Sequence, residues 1–150
     1  MKKPICVSGV QPTGNLHVGN YLGAVRNFVE IQNSGKYDFY LFVADLHSLT
    51  GNMTADERRG QILRTTAELI AAGIDPDKTT LFVQSHVTEH TELAWIFDCV
   101  TPIAELEKMT QYKDKSARQE KNINAGLLTY PVLQAADILL YHGEFVPVGQ

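Results

Sequence analysis

The chain lacks the features that mark several classes of protein. It has two cysteines, Cys6 and Cys99, in 150 residues, and neither belongs to a Cys-x-x-Cys or Cys/His spacing that would predict a zinc site. No apolar run approaches the ~20 residues that a membrane-spanning helix needs, and the run after Lys2 and Lys3 is too short for a signal peptide. We therefore expect buried free thiols, no membrane segment and a cytoplasmic location.

A strong excess of one charge is lacking as well. The formal net charge of −4 argues against a strongly basic nucleic-acid-binding module, although it leaves room for a local basic patch. Hydrophobic residues make up 44% of the chain and charged residues 20%, which is the balance of an ordinary globular protein with a buried core. The length predicts a single domain.

Apolar runs and helical spacings alternate along the chain. Short apolar runs predict strands at residues 5–10, 39–44 and 81–83, and helical spacing predicts helices at 18–32 and after the capping-box pattern of residues 54–57. This β-α-β-α-β order predicts an α/β fold with a Rossmann-like parallel sheet and flanking helices. Further along we predict helices at residues 91–100, 103–111 and 126–140, a polar loop at 113–124 and a last strand at 145–148.

The loop after the first strand is the first candidate for a ligand site. Residues 11–20 read Gln-Pro-Thr-Gly-Asn-Leu-His-Val-Gly-Asn and open a helix. Ligands bind beyond the carboxyl ends of parallel strands. Gly14 permits a tight turn there, Gly19 leaves space against the helix, and the helix N-terminus suits an anion. The loop is neither a P-loop nor a Gly-x-Gly-x-x-Gly motif, so glycines alone predict either a phosphate-binding turn or a plain strand-to-helix connection.

A polar stripe on the predicted helix 126–140 is the second candidate. Tyr130, Gln134, Asp137 and Tyr141 follow one another at intervals of 4, 3 and 4 residues, which places them on one helical face. Asp137 has apolar neighbours, and a desolvated carboxylate needs a hydrogen-bond donor. The donor is either a protein group, which would make Asp137 structural, or a ligand N–H or O–H group.

These two stretches carry a resemblance to a known family. Residues 17–20, His-Val-Gly-Asn, resemble the His-Ile-Gly-His signature of the class I aminoacyl-tRNA synthetases, with the Asn that is usual in their tryptophan branch. Residues 126–141 closely resemble the bacterial tryptophan enzymes of that class. Further stretches that are similar to those enzymes lie at 19–24, 45–47, 83–87, 89–95 and 109–116, so the resemblance covers nearly the whole chain.

The resemblance implies two sets of site residues. The set implied for ATP is Gln11, Pro12, Thr13, Gly19, Asn20, Gly149 and Gln150, among which Thr13 and Asn20, together with His17, would stabilise the charge on the α-phosphate. The set implied for L-tryptophan is Asp137, Tyr130, Gln134, His47 and Val7. Asp137 would accept the indole N–H, for which a carboxylate is an apt partner because the indole nitrogen only donates, and Tyr130 would lie near the α-ammonium. No protein-bound metal is implied, whereas Mg²⁺ would accompany ATP.

Two of these positions bear on the choice of amino acid. Gln134 departs from the Met common in the tryptophan enzymes, and Tyr-x-x-x-Gln-x-x-Asp also occurs in tyrosine enzymes. Val7 stands where the tyrosine enzymes carry a Tyr that helps bind the substrate phenol, and Val leaves space for an indole. Val7 therefore favours tryptophan, and a tyrosine-activating relative stays the alternative.

The resemblance also implies a reaction and an assembly. The reaction is ATP-dependent activation of tryptophan to tryptophanyl-adenylate and transfer to tRNA(Trp), and a homodimer would form through residues 89–111. Residues 1–150 would be the N-terminal part of the Rossmann-like catalytic domain, with a helical connective segment at about 87–125 and with the anticodon-binding domain outside the chain. We expect the piece alone to be weak or inactive in activation, and a non-catalytic nucleotide- or amino-acid-binding piece is a further alternative.

Several other residues receive a less specific interpretation. His86, His90 and His142 are interpreted as surface or interface residues without chemistry. Trp95 is expected in the core or in a dimer interface. Lys113 and Lys115 are interpreted as part of a solvated loop that could reach the ATP triphosphate.

Overall fold

A parallel sheet forms the centre of the molecule. The computed structural model describes residues 2–110, 112 and 124–147. Its strands are β1 (Ile5–Val10), β2 (Asp38–Val43) and β3 (Thr80–Val83), hydrogen-bonded in the order β1-β2-β3. All pairs are parallel, with Val7 beside Tyr40 and Leu41 beside Leu81. The predicted α/β fold with a Rossmann-like parallel sheet is confirmed.

The first crossover is a helical stretch of three parts. It begins with α1 (Val18–Asn20), continues as a π-helical segment (Tyr21–Val25) and ends as α2 (Arg26–Ser34). Gly35 then adopts the left-handed conformation at φ 61°, which a glycine accepts without a Cβ clash, so the predicted stop at Gly35 is confirmed. The π-helical segment was not predicted; such segments are frequent at functional sites.

The second crossover contains α3 (Asp45–Ser48) and α4 (Ala55–Ala71). The predicted capping box at the start of α4 is confirmed. The backbone N–H of Glu57 donates to Thr54 Oγ1 at 3.3 Å, and the backbone N–H of Thr54 donates to Glu57 Oε2 at 2.8 Å. Two of the free N–H groups of the helix end are thereby satisfied.

Alternation along the strands gives the sheet two apolar faces. One face packs against α2 and α4 through a core cluster formed by Cys6, Val25, Phe28, Phe39, Leu41, Val43, Leu69 and Ile74. The opposite face carries a smaller cluster of Val7, Phe42 and Ala44, against which Ile5, Tyr40, Phe82 and Tyr141 pack. The second cluster forms the apolar surroundings of the polar site described in the next subsection.

The second half of the described chain is mainly helical. A 3₁₀ turn (Gln84–His86) follows β3 and leads to α5 (Glu89–Asp98) and α6 (Ile103–Lys108). Helix α7 (Ala125–Leu139) packs along α5 and continues through Pro131. The predicted loop at 113–124 lies outside the described residues except for Asn124, whose Oδ1 caps α7 by accepting the Leu127 N–H at 3.0 Å. Within the described ranges, no helix combines the length and the apolarity that a membrane crossing requires.

After α7 the chain returns to β1. Phe145 forms a single parallel bridge with Cys6, and the Val7 N–H donates to the Phe145 carbonyl at 2.9 Å. The predicted last strand is therefore present only as this bridge among residues up to 147, and residue 148 lies outside the described range. Gly143 allows the return, because a Cβ there would lie 3.0 Å from Val7 Cγ2 and 3.2 Å from the Ile138 carbonyl oxygen. The division of the chain with a connective segment at about 87–125 stays a prediction.

Candidate active site

A cleft of about 480 Å³ opens at the carboxyl ends of β1 and β2. This is where ligands bind in open parallel sheets. Eight of the predicted site residues line this cleft: Val7, Gln11, Thr13, Asn20, His47, Tyr130, Gln134 and Asp137. The fold thus brings together the loop after β1 and the polar stripe of α7, which are separated by more than a hundred residues in the sequence. Pro12, His17 and Gly19 do not line the cleft, and Gly149 and Gln150 lie outside the described residues.

A second hollow of about 420 Å³ adjoins the cleft. The two share Gln11, Thr13, Gly14 and His47, and the hollow continues along the loop at residues 48–53 to Leu127. Gly14 has φ 77°, so the tight turn predicted for this glycine is confirmed. The loop after β1 is therefore the common wall of two connected spaces.

His17 caps the first helical turn with one ring nitrogen. The backbone N–H groups of Gly19 and Asn20 donate to His17 Nδ1 at 3.1 and 3.4 Å, and Asn20 Oδ1 accepts the His17 backbone N–H at 3.2 Å. Because Nδ1 accepts, the proton of the neutral ring is on Nε2, which points an N–H donor away from the cap. The space at Gly19 is taken by this ring, since a Cβ there would lie 3.0 Å from it.

Asp137 is the most heavily bonded group of the cleft. Its side chain is 2% exposed. Its Oδ1 accepts hydrogen bonds from Gln84 Nε2 at 2.7 Å and from His90 Nδ1 at 2.6 Å, and its Oδ2 accepts one from His47 Nε2 at 2.8 Å. Burial raises the pKa of Asp137, but the bonds from His47, His90 and Gln84 outweigh burial and hold the pKa below its usual range. Asp137 is therefore an ionised carboxylate at neutral pH.

Both interpretations of Asp137 apply in part. It has protein donors, as the structural interpretation predicts, and it also lines the cleft, as the functional one predicts. A carboxylate oxygen can accept two hydrogen bonds. Since Oδ2 carries one bond from His47, it retains room for a ligand donor.

His90 is fully buried behind Asp137, so its interpretation as a surface or interface residue is wrong. Its Nε2 lies 2.8 Å from the Tyr141 hydroxyl, which extends the bonding one residue further. Burial, together with the negative charges of Asp137 and Glu89, raises the pKa of Tyr141 to about 12, so the hydroxyl stays a donor. We call the bonded series Tyr141–His90–Asp137–His47 the buried network. His86 and His142 are exposed, as predicted.

Gln84 is a further site residue that the sequence did not reveal. It is fully buried, and its Oε1 accepts the Leu46 N–H at 3.2 Å while its Nε2 donates to Asp137. It therefore ties the start of α3 to α7. The signal in the sequence was weak: Gln84 is the first polar residue after β3, at the carboxyl edge where ligands bind.

His47 brings an unfilled acceptor to the cleft. It is 7% exposed and lines both the cleft and the adjoining hollow. Its Nε2 donates to Asp137, so in the neutral ring Nδ1 carries the lone pair, and this buried atom has no partner within the part of the chain that the structure describes. An unpaired buried acceptor costs roughly 1–3 kcal/mol, which a ligand donor would recover.

The remaining predicted residues differ in depth. Val7, at 1% exposed, forms part of the apolar floor, whereas Gln134 lies exposed at the rim. Tyr130 stands edge-on to the His47 ring with centroids 6.2 Å apart. Burial raises the pKa of Tyr130, so its hydroxyl is protonated at neutral pH. The cleft therefore has an apolar floor, an anionic wall and a hydroxyl-bearing aromatic side.

The parallel sheet, with its cleft at the carboxyl ends of the strands, defines a Rossmann-like α/β domain. The family model described as class I tRNA synthetases (W and Y) matches residues 1–150, and the chain belongs to this family. It is 56% identical over 144 residues to the tryptophan–tRNA ligase of Gloeobacter violaceus, which covers 96% of the chain and 42% of that relative. It is 50% identical over 150 residues to the tryptophan–tRNA ligase of Prochlorococcus marinus, covering 100% of the chain and 44% of the relative.

A solved structure agrees with this membership. The tryptophanyl-tRNA synthetase of Campylobacter jejuni, crystallised with ADP and tryptophan, superposes with a TM-score of 0.89 at 39% identity. The match covers 97% of the chain and 44% of that structure. The chain therefore spans less than half the length of the relatives it matches.

Proposed function

We propose that this chain carries the amino-acid pocket and the nucleotide loop of a tryptophan–tRNA ligase. The observation that carries the proposal is Asp137, an ionised carboxylate buried in the wall of a cleft whose other end is formed by the loop after β1 and by Asn20. Relatives that share half or more of the matched residues are named for that activity. The chain spans only part of those relatives, so the complete reaction is proposed for the whole protein.

The amino-acid side of the proposal assigns the indole to the deep end of the cleft. Asp137 Oδ2 accepts the indole N–H, and Val7 lies beneath the rings without a competing hydroxyl. We assign Tyr130, which lines the cleft, to the side where the α-ammonium would lie. A buried anion that loses its ligand donor leaves an acceptor unpaired, so the site rejects amino acids without that donor.

The nucleotide side assigns ATP to the loop after β1. Gln11, Thr13 and Asn20 line the cleft, and the free Nε2–H of His17 faces away from its cap, so a phosphate oxygen has donors on this side. The tryptophan carboxylate oxygen attacks the α-phosphorus, the bond to the bridging oxygen breaks, and pyrophosphate leaves. A ribose hydroxyl of tRNA(Trp) then attacks the carbonyl carbon and AMP leaves. The chain's residues position and neutralise charge, and none acts as a nucleophile.

Mg²⁺ enters this proposal with ATP, as part of the substrate. Among the described residues there is no group of three carboxylate, histidine or cysteine side chains that would bind a metal. A cytoplasmic location, where ATP and tRNA are available, also belongs to the proposal.

The experiment that tests the amino-acid side is calorimetric titration of the chain with three amino acids. We expect L-tryptophan to bind roughly 100-fold more tightly than benzothienylalanine, in which a sulfur atom replaces the indole N–H, because one charge-assisted hydrogen bond is lost. L-Tyrosine should bind more weakly than L-tryptophan. Tighter binding of L-tyrosine would favour the tyrosine-activating alternative. If the chain bound neither L-tryptophan nor L-tyrosine, it would lack the proposed pocket.

The nucleotide side is tested separately with His17→Asn. Asn is a good N-cap, so the helix start should persist, whereas the Nε2–H donor is removed. We expect weaker ATP binding with unchanged tryptophan binding and an unchanged free energy of unfolding. Loss of tryptophan binding as well would indicate a collapsed loop and would contradict the assigned role.

A homodimer through α5 and α6 is the last part of the proposal. Trp95, Ile96, Val100 and Ile103 are 70%, 58%, 74% and 64% exposed, so these large apolar side chains lie on the surface and Trp95 is not in the core. Apolar clusters of this kind typically meet a partner. Sedimentation equilibrium should show a dimer that Val100→Glu dissociates, whereas Leu63→Glu, on exposed α4, should leave it intact.

A further inference from the structure

We propose that His90 and Tyr141 are positioning residues for amino-acid recognition, which hold the Asp137 carboxylate in place as an acceptor, so that the buried network presents acceptors and no donor to the cleft. Neither residue lines the cleft. They act through Asp137, to which His90 is bonded at 2.6 Å. This inference rests on the proposed function, because it concerns how the same pocket selects its amino acid.

The direction of each hydrogen bond follows from the Asp137 carboxylate, which can only accept. His90 Nδ1 therefore carries a proton, so in the neutral His90 ring Nε2 is bare and accepts from the Tyr141 hydroxyl. His90 Nδ1 then donates to Asp137 Oδ1, and Oδ2 accepts from His47 Nε2. Every donor in this series meets an acceptor.

The series ends in a bare acceptor at the cleft. With its proton on Nε2, His47 presents a lone pair at Nδ1, which is buried and without a partner in the described residues. Asp137 Oδ2 retains its second acceptor position beside it. Two acceptors therefore face a ligand at this point, and they fit a ring N–H or an ammonium, whereas a ligand carbonyl oxygen or thioether sulfur, which has no proton to donate, would meet two lone pairs.

Loss of one distant bond should weaken this preference. Without the Tyr141 hydroxyl, His90 Nε2 loses its donor, and Asp137 alone then holds the ring proton on Nδ1. In the other tautomer, the Nδ1 lone pair would face Asp137 Oδ1 across 2.6 Å, and the carboxyl group would have to move or to take up a proton. A protonated or displaced carboxyl is a poorer acceptor, so the effect reaches the cleft although Tyr141 does not.

The first test is ¹⁵N NMR of the histidine rings of the wild-type chain at neutral pH. We expect His90 to show a protonated Nδ1 and a bare Nε2, and His47 the opposite pattern. In Tyr141→Phe the His90 Nε2 signal should shift, because that nitrogen loses its donor. Tyr37→Phe is the matched control, because Tyr37 packs edge-on against Phe145 outside the buried network. A bare Nδ1 at His90 in the wild-type chain would overturn the inference without any variant.

The second test measures selectivity. The affinity ratio of L-tryptophan to benzothienylalanine should fall about tenfold in Tyr141→Phe and in His90→Ala, the effect of one weakened hydrogen bond to a charged group. His90→Asn restores a donor near the Nδ1 position and should recover part of the ratio. The exposed His86→Ala variant should keep the wild-type value.

The outcomes separate this inference from the proposed function. A wild-type chain that fails to prefer tryptophan over benzothienylalanine contradicts the proposed function. A wild-type preference that persists unchanged in folded Tyr141→Phe and His90→Ala overturns the positioning role alone. If Tyr141→Phe does not fold, the positioning role is still tested by the His90 tautomer of the wild-type chain and by the comparison of His90→Asn with His90→Ala.

Discussion

Asp137 on α7 and His90 on α5 are joined by a hydrogen bond of 2.6 Å, although 47 positions separate them in the sequence. Both side chains are almost completely withdrawn from solvent. A carboxylate in such a place is stable only when donors surround it, and here they come from α3, from the turn after β3 and from α5. The site is therefore also a junction that holds the second half of the chain to the sheet.

Replacement of Asp137 by Asn should destabilise the protein. The NH₂ group of the introduced amide would face at least one of the donors of His47, His90 or Gln84. Two buried donors would then point at each other, and neither would have an acceptor. We expect the free energy of unfolding to fall by about 3 kcal/mol, measured by urea denaturation. The control is Asp77→Asn on the surface, for which we expect less than about 0.5 kcal/mol. Equal effects of the two variants would contradict a bonded, buried Asp137.

Gln84→Glu should have a pH-dependent cost. The variant places a carboxylate 2.7 Å from Asp137 Oδ1, where the wild-type amide donates. The pair can persist only by sharing a proton, so its upper pKa in the folded state lies above that of an unfolded Glu. A raised folded pKa contributes stability at low pH that is lost as the pH rises. The deficit relative to the wild-type chain should therefore be larger at pH 8 than at pH 5 in urea denaturation. A constant deficit would argue against this contact.

Replacement of glycine by alanine should have opposite effects on stability at Gly9 and at Gly60. At Gly9 an added Cβ would lie 2.5 and 2.7 Å from Phe42 ring atoms, and that ring itself packs against Phe82 and His90. Gly9→Ala should therefore cost roughly 1–3 kcal/mol through overpacking. At Gly60, within α4, a Cβ would meet nothing within 4 Å, and Gly60→Ala should stabilise by roughly 0.5–1 kcal/mol. Thermal melting of both variants tests this prediction, and a shift of the melting temperature in the same direction for both would contradict it.

The two cysteines should react at very different rates. Cys6 is buried in the main core, and burial raises the pKa of its thiol to about 11, so little thiolate exists at pH 8. Cys99 is exposed, contrary to the expectation that both thiols are buried. With a thiol-specific disulfide reagent, one group per chain should react under native conditions and the second after denaturation. Fast native labelling of Cys99→Ser would contradict the position assigned to Cys6.

The sequence by itself determined the features that depend on neighbours along the chain. The alternation in β2 sends Leu41 to one face of the sheet and Phe42 to the other, because successive side chains of a strand point in opposite directions. The cap formed by Thr54 and the stop at Gly35 are decided by contacts within a few residues. The order of apolar runs was enough to predict the parallel α/β fold, and the stripe of α7 was enough to single out Asp137.

Only the tertiary structure decided what surrounds Asp137. Its donors Gln84 and His90 lie 53 and 47 residues away, on elements whose own periodicity does not say which side meets α7. His90 was for this reason misplaced at the surface, and Gln84 was missed. Local patterns record whether a position faces the interior, whereas the identity of its partner is set by how packed helices and strands come together, which involves contacts between distant parts of the chain.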